Sequence, residues 1–536
     1  MSNPGSWKLD DDDKGFFWAK GDRHHSIDPT KWLELYKQVK STNFKAVFID
    51  LDQEREEEDE NKVYSKWCEL PDLVLEQIFG YLTIRQRYYA SLVCKNWYQA
   101  FHFPKVWSRF VLEDDTLTRG RFNYYSGWQY VLDHLRTSMC LSAVGKNIKH
   151  LTFEPMLNFY NLYEFINMIS WYIEQSDKHT AMPEYDGVGV KIRTLKFTFP
   201  CDMDMASRDE TEMTRLFGTG GRLLGALKRL MANLSELKRL ELIDLMLDSN
   251  EAQHLLDEVC VLRCLTLKTL ILINATRIQY QILHVGVFLN LNVLKISPQN
   301  LGNDVIEMIG HTKLKHLHIV QNRFSPDDII VKPALEQVWK QCRKNNPTLN
   351  VHLELESKKP KNILWQTGAP VKSILYHTPS MGVEYDSVMS IIEQYKEDIL
   401  VYGHTELPRG YRPKSFDDRI DSTLLLLCRR CPKIKMLIIT ERISTSTVLL
   451  IARTAKNLKH LYIRGNAVIK KCDWPQSPEW TDEFYQWLKM SSKSYENVER
   501  EVQEILGGKK WKFMTDKEFK NLELDLYNET LYTNVN

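Results

Sequence analysis

The sequence predicts an α/β chain: a small three-helix unit followed by an irregular solenoid, with short parallel strands on its concave face and helices on its convex face. Two observations predict this fold. Apolar residues recur at helical spacing between Trp67 and Trp107, and an apolar-x-x-apolar-x-apolar pattern then recurs along most of the chain. The units that carry this recurring pattern must stack, because none of them can bury its own apolar face alone.

Length and composition agree with a folded chain of several units. At ~100–200 residues per domain, 536 residues predict two to four units, or one small unit with a repeat array. Hydrophobic residues make up 43% and charged residues 26%, which is typical of folded proteins. Lys and Arg total 71 against 70 for Asp and Glu, so no basic excess indicates a nucleic-acid partner.

The sequence also carries expectations about location. Apolar runs such as Leu424–Leu427 are far shorter than the ~18–20 residues of a bilayer span, so we expect no membrane partner. The N-terminus lacks the basic and apolar stretches of a secretory signal, and the ten cysteines are scattered as reduced thiols would be. We therefore expect the protein in the cytoplasm, the nucleus or both.

Changes in composition divide the chain into four segments. The acidic blocks Asp10–Asp13 and Glu54–Glu60 are typical of a solvated region, and the boundary to folded material is predicted close to Tyr64. The predicted segments are an acidic, largely disordered one at 1–63, the three-helix unit at 64–112, the solenoid at 113–470 and a C-terminal cap or tail at 471–536.

The three-helix unit has more apolar residues than it can bury. Leu75, Ile78, Phe79 and Leu82 fall on one face of a predicted helix, and a second apolar run precedes Trp97. A unit this small cannot cover its whole apolar surface. The surplus must be covered by the rest of the chain or by a partner.

This segment resembles an F-box. The resemblance rests on a Leu-Pro start, an Ile-Phe-x-x-Leu helix, a Val-Cys-Lys-x-Trp helix and a closing Trp, in the family's order and at its usual distances. Two departures are Val74, where Glu is frequent, and Gln86-Arg87, where an acidic residue and Leu are most often found. The motif residues are Leu70-Pro71, Ile78-Phe79, Leu82, Val93-Cys94-Lys95, Trp97 and Trp107.

The resemblance implies a non-catalytic adaptor of a cullin-RING ubiquitin ligase, with no cofactor and no metal. The F-box would bind the Skp1 adaptor and, through it, the cullin and the RING protein, while the repeats would bind a protein substrate. Some motif residues must also hold the helices together, and the sequence does not separate the two roles. By the family motif, the Skp1-binding positions are Leu70, Pro71, Leu75, Ile78, Phe79, Leu82, Val93 and Trp97.

The recurring pattern after Thr118 indicates leucine-rich repeats. Neighbouring matches lie 24, 23 and 24 residues apart where spacing is regular, but two steps of 44 and 45 residues indicate a degenerate unit or an inserted loop. Unrelated strands of an α/β domain are the alternative, although seven of the eight matches carry a basic residue after the first apolar position. The predicted strand regions are Ile148–Phe153, Ile192–Phe197, Leu237–Leu242, Leu267–Leu272, Leu291–Ile296, Leu314–Ile319, Ile434–Ile439, Leu458–Ile463 and, more weakly, Val371–Tyr376.

Two regions outside the repeats each have two interpretations. The Trp-rich stretch Trp474–Trp480, followed by a helix from about Tyr495 to Leu506, either caps the solenoid or contacts a substrate. The polar stretch Tyr402–Asp418 is either a binding loop or a surface insertion.

Candidate catalytic and metal motifs are incomplete. Gly218–Gly221 lacks both the spacing of a dinucleotide-binding loop and the Lys-Ser/Thr of a P-loop. Cys428 and Cys431 have no second pair of ligands at zinc-site spacing. Asp50 and Asp52 resemble the nucleophile motif of haloacid-dehalogenase-type phosphatases, but the residues that follow do not fit it.

Two function classes therefore stay open besides that phosphatase motif. One is a substrate-recognition subunit of a Skp1–cullin–F-box ligase. The other is a leucine-rich-repeat binding protein, free or associated with Skp1, that has no role in ubiquitination. The strand positions show no Arg cluster that would indicate a phosphorylated substrate.

Overall fold

The computed structural model describes residues 66–532 apart from 125–126, 157, 177–186, 200–220, 327–330, 358–360, 410–413 and 509. The predicted segment 1–63, with its Asp50–Asp52 motif, lies outside the described residues, as does Gly218–Gly220.

Three short helices form the N-terminal unit, as predicted. A single 3-10 turn precedes them, and the second helix starts with a capping box between Thr83 and Gln86. Two buried residues of the first helix, Leu75 and Phe79, are one turn apart, so they share the face that packs inward. The elements are Lys66–Glu69, Asp72–Tyr81, Ile84–Ser91 and Lys95–Phe101.

A parallel sheet of twelve strands runs through the rest of the described chain. Each strand pairs with the next one along the chain, which is the order that stacked repeats require. Every predicted repeat strand is present, including the weak one at Val371–Tyr376. The strands are Arg109–Leu112, His150–Phe153, Thr194–Thr198, Arg239–Ile243, Thr269–Ile273, Val293–Ile296, His316–Asn322, Asn350–Glu356, Val371–Tyr376, Val401–His404, Met436–Ile439 and His460–Ile463.

The sequence did not predict three of these twelve strands. In Asn350–Glu356, Val351 pairs with Leu317, which places the polar Thr348 at the repeat's first apolar position and hides the pattern. Val401–His404 ends in His where an aliphatic residue was expected, and it contains the start of the predicted loop Tyr402–Asp418. Arg109–Leu112 does fit the pattern, but it begins within the predicted helical unit.

The two long repeat steps are insertions. The strand His150–Phe153 pairs directly with Thr194–Thr198, and that strand pairs directly with Arg239–Ile243, so no degenerate strand lies between them. The first insertion includes the 18-residue helix Phe159–Ser176. The extra residues therefore lengthen the connections without interrupting the sheet.

The core lies between the sheet and the helices that connect its strands. Alternate strand residues such as Leu240 and Leu242 are fully buried there, since successive strand side chains point to opposite faces. The connecting α-helices are His134–Val144, Phe159–Ser176, Arg222–Asn233, Ser249–Arg263, Asn303–Gly310, Glu336–Asn345, Tyr385–Tyr395, Asp421–Arg430 and Thr445–Thr454.

Further elements lie outside the repeats. An antiparallel hairpin follows the first sheet strand, and the helices Asp482–Ser491 and Tyr495–Ile505 pack against the last connecting helix. The predicted helix near Tyr495 is thus confirmed, and it ends at two glycines with positive φ. The remaining elements are Thr118–Asn123, Gly127–Leu132, Ile443–Ser444, Val468–Ile469, Asp516–Lys520 and Glu529–Tyr532.

No helix in the described ranges combines the length and apolar character needed to cross a bilayer.

Candidate functional site

The interior of the three-helix unit is built from its motif residues. Leu75 and Phe79 are completely buried, and the Phe79 ring meets the Trp97 ring edge-on at 5.8 Å between centroids. The Trp97 indole Nε1–H donates to the carbonyl oxygen of Trp67 at 2.9 Å. Asn96 donates its amide to the carbonyl oxygen of Leu70 at 3.1 Å, so the third helix holds the start of the unit in place.

Both departures from the family motif in the second helix have structural roles. Gln86 completes the capping box, because its side chain accepts from the Thr83 amide at 2.9 Å. Arg87 is buried, and its Nε–H donates at 3.0 Å to the carbonyl oxygens of Phe79 and Leu82, at the end of the first helix. Burial lowers the pKa of Arg87.

Trp107 joins the three-helix unit to the sheet. Its indole donates to the carbonyl oxygen of Phe101 at 2.6 Å, and its side chain is 1% exposed. Because Phe110 pairs with Leu151, Trp107 stands where Ile148 stands in the next repeat. The closing Trp of the motif is thus also the first apolar residue of the first repeat.

The structure divides the predicted Skp1-binding residues by burial. Leu75 and Phe79 face the interior and hold the helices together. Leu70, Ile78, Leu82 and Trp97 are half-buried, whereas Pro71 and Val93 are exposed. Burial thus distinguishes the residues that hold the helices together from those that a partner could reach. Binding of Skp1 by these residues stays a prediction.

Exposed large apolar side chains are concentrated on the outside of the unit. Of the 27 large apolar side chains exposed among the described residues, nine lie between Trp67 and Tyr98. Sequence reasoning missed most of them, although helical spacing places Leu73, Val74 and Tyr81 on the side of the first helix opposite Leu75 and Phe79. We define the apolar helix surface as Trp67, Leu73, Val74, Tyr81, Tyr88, Tyr89, Leu92, Val93 and Tyr98.

A second candidate site is the concave face of the sheet, part of which is covered by the C-terminal tail, residues 514–532. The tail starts beside the last sheet strand, where Asp516 forms a bidentate ion pair with Arg464 at 2.7 and 3.0 Å. Phe519, Leu526 and Leu531 are then buried on the sheet. Their cluster includes the strand residues Leu375, Val401, Met436 and Ile438.

The tail ends over three stacked histidines. The rings of His318 and His352 lie 4.2 Å apart, and those of His316 and His352 lie 5.3 Å apart. The Tyr527 and Tyr532 rings approach the His316 ring at 5.1 and 5.3 Å. Burial lowers the pKa of all three histidines, that of His316 to about 4, so the stack is neutral at pH 7.

An ammonium group and a histidine N–H fix a buried carboxylate beside this stack. Glu354 accepts from the Lys295 ammonium at 2.9 Å and from His318 Nδ1. Burial alone would raise the pKa of Glu354, but His318 and Lys295 hold it well below its usual value. We take Glu354 as ionised and His318 as a neutral donor, because burial outweighs the carboxylate in setting the pKa of His318.

The concave face is open at its other end. The strands His150–Phe153, Thr194–Thr198 and Arg239–Ile243 alternate between buried and accessible positions. Apart from Ile243, the accessible positions are polar, and include Lys196 paired with Glu154 at 3.2 Å and Arg239 paired with Glu241 at 2.5 Å. We call the strands from Arg109 to Ile243 the open half, and those from His316 to Ile439 the covered half.

The candidate zinc ligands are buried in the hydrophobic core of the repeats. Cys428 and Cys431 lie at the end of the helix Asp421–Arg430, where burial raises the pKa of each thiol to about 12. The nine cysteines in the described ranges are free thiols. No group of three or more His, Cys, Asp or Glu in those ranges is arranged to hold a metal ion.

The N-terminal unit matches a known protein family. Residues 67–113 match the family model described as F-box-like. F-box/LRR-repeat protein 21 of Mus musculus is 45% identical over 47 residues, which is 9% of this chain and 11% of that protein. The Bos taurus protein of the same name is 39% identical over 57 residues, or 11% of this chain and 13% of that protein. The matches thus span about a tenth of these relatives.

Solved structures give only distant likenesses. A chain in the crystal structure of the Rad7 and Elc1 complex in yeast is similar over 85% of this chain and 98% of its own length, with a TM-score of 0.33 and 12% identity. A chain of the TLR13–ssRNA13 complex is similar over 60% of this chain and 36% of its own, with a TM-score of 0.30. The chain thus carries an F-box-like domain at residues 67–113, followed by a parallel sheet of stacked repeats.

Proposed function

We propose that this protein is the substrate-recognition subunit of a Skp1–cullin–F-box ubiquitin ligase. In this proposal the F-box-like domain binds Skp1, and the repeats bind a protein substrate. The observation that supports this proposal is the apolar helix surface, because it exposes nine large apolar side chains on the domain that matches the F-box-like family model. Exposed apolar patches of this kind mark interaction sites on soluble proteins.

The proposed contribution of the chain is proximity, without chemistry of its own. Skp1 would connect it to the cullin, and the RING protein would bring the E2 that carries ubiquitin as a thioester. Holding a substrate lysine near that thioester turns an encounter between two molecules into an effectively intramolecular step. The protein would act in the cytoplasm, the nucleus or both.

The burial of the motif residues decides which substitutions can test Skp1 binding. Leu75→Ala or Phe79→Ala removes buried core volume, at a cost of about 2–5 kcal/mol, and so would unfold the domain whatever it binds. Val93 is 59% exposed, so its substitution removes no buried core volume. Val93→Glu is therefore the direct probe of a predicted Skp1 contact.

The test is co-expression with Skp1, followed by size exclusion and a pull-down of the cullin. We expect a stoichiometric complex with the natural chain and at least a tenfold loss of Skp1 with Val93→Glu. The matched control is Val261→Glu, because Val261 is 81% exposed on a helix of the repeats. Equal Skp1 recovery with both variants would contradict the proposed contact.

A second experiment separates the two open function classes. A ligase subunit reconstituted with Skp1, cullin, RING protein, E1 and E2 should support ubiquitin transfer that depends on Val93. A stable Skp1 complex that supports no transfer would instead favour the alternative of a Skp1-associated repeat protein without a role in ubiquitination.

A further inference from the structure

The sheet aligns four basic residues that the sequence spreads between positions 149 and 268. Each lies immediately before a strand and is exposed. The amide of Arg193 donates to the carbonyl oxygen of Lys149 at 2.8 Å, and this ladder continues from strand to strand, so the four positions are ~4.8 Å apart. We call Lys149, Arg193, Lys238 and Lys268 the basic row; the first three precede strands of the open half, and Lys268 precedes Thr269–Ile273, the strand that borders it.

Among the residues that the structure describes, the four members of the basic row and Arg109 form no ion pair. Two carboxylates on the open half, Glu154 and Glu241, instead pair with Lys196 and Arg239. The pKa of His150 is lowered by partial burial and by the positive charges of Arg109, Lys149 and Arg239. Several cations therefore surround one point of the open half, in a chain whose net charge is only +1.

The covered half shows what this repeat position can bind. Lys315 and Lys435 occupy the same place before their strands, with amides that donate to the preceding repeat. The Lys435 ammonium donates to the carbonyl oxygen of Leu531 at 2.7 Å, and the Lys315 ammonium lies 3.6 Å from a carboxylate oxygen of Glu529. Both hold oxygens of the tail's last helix, Glu529–Tyr532, across the concave face.

We propose that the open half binds an extended acidic segment of a protein substrate, whose carboxylates face the basic row. This deepens and rests on the proposed function, since it names the substrate class for the same receptor. The row spans ~14 Å, which about five residues of extended chain cover. The tail occupies the other half, so it sets one end of the binding site.

The test measures binding of a fluorescein-labelled decaglutamate peptide to the full chain, alone and after co-expression with Skp1, by fluorescence polarisation at low and at physiological salt. The row variant carries Lys149→Gln, Arg193→Gln, Lys238→Gln and Lys268→Gln. The matched control loses the same charge through Lys332→Gln, Lys344→Gln, Lys493→Gln and Lys510→Gln, which are exposed outside the row. We expect the row variant to bind at least about tenfold more weakly than the control, with the difference shrinking at higher salt.

Equal loss of peptide binding in both variants would overturn the proposal, because only net charge would then matter, and so would an absence of peptide binding to the natural chain. If the row variant unfolds, single substitutions of Arg193 and Lys238 replace it, and each should weaken binding two- to threefold. Skp1 recovery from the same preparations tests the proposed function separately. Row-dependent binding without Skp1 recovery would leave an acidic-segment receptor outside a ligase.

Discussion

In the open half, strands such as Arg239–Ile243 alternate between buried and accessible residues, whereas in the covered half His316–Asn322 is buried along its whole length. Both strands belong to one sheet and come from one repeat pattern. The covered half differs because the tail packs on its concave side. Tyr527 and Tyr532 lie against the His316 ring, and Phe519, Leu526 and Leu531 pack on the strands from Val371 to Ile439.

This difference shows that repeat position alone does not fix the role of a residue. Lys238 and Lys435 occupy equivalent positions, yet the first is exposed and the second is 6% exposed beneath the tail. A tertiary contact from more than ninety residues further along the chain decides that contrast.

The largest effect should come from uncovering the covered half. Phe519 is 1% exposed in the cluster that joins tail and sheet, so Phe519→Ala should destabilise tail docking by about 3–5 kcal/mol. Hydrogen exchange of the amides in residues 514–532 measures this directly. Asn521→Ala, at an exposed position of the same tail, should change exchange little. Similar exchange in both variants would mean that the tail does not cover the sheet as described.

Acid should also loosen the covered half. Burial lowers the pKa of His316 from 6.5 to about 4, so the folded state binds fewer protons than the unfolded state between those values. This contribution to stability is complete above pH 6.5 and is lost as the pH falls toward 4. At pH 5 we expect a loss of about 2 kcal/mol.

The groups around His316 give this pH prediction its control. His318 and Lys315 oppose the positive charge of a protonated His316, and Tyr527 and Tyr532 pack on its ring. Glu354, the nearby carboxylate, is already bound by His318 and Lys295. Urea unfolding at pH 7.5 and pH 5 should show a smaller pH effect in His316→Gln than in the natural chain. His254→Gln, at an exposed helix position, should keep the full effect. An unchanged pH effect in His316→Gln would contradict the assignment.

A matched pair compares the same repeat position in the two halves. Lys435→Met removes a charged hydrogen bond to the tail carbonyl and should lower the free energy of unfolding by about 1.5 kcal/mol. Lys238→Met changes an exposed side chain and should stay within about 0.5 kcal/mol of the natural chain. Equal effects in urea unfolding would remove the distinction between the halves.

The smallest effect belongs to the ion pairs of the open half. Lys196 and Glu154 lie 3.2 Å apart and are both about one-third exposed, so their coupling should be about 0.3 kcal/mol. A double-mutant cycle of Lys196→Ala and Glu154→Ala measures it. A coupling above about 1 kcal/mol would show that the open half is as tightly ordered as the covered half.

Sequence reasoning predicted the helical unit and nine of the twelve strands, because helix and repeat periods are local signals. It missed Asn350–Glu356, since Thr348 interrupts the pattern there. It selected Skp1 positions by motif and could not tell the interior Leu75 from the accessible Val93. It identified the basic residue after the first apolar position of most repeats but inferred no cationic surface from it, because the members of the basic row are far apart in the chain and become neighbours only in the sheet.

The sequence by itself determined the F-box-like domain and the strands with their repeat spacing, because apolar periodicity selects which side of each element must be buried. Only the tertiary structure decided which accessible residues meet. Stacking the repeats aligned the basic row, and folding the tail back over the sheet closed one half of the concave face. Both depend on contacts between distant segments, which burial of apolar surface across the whole chain stabilises.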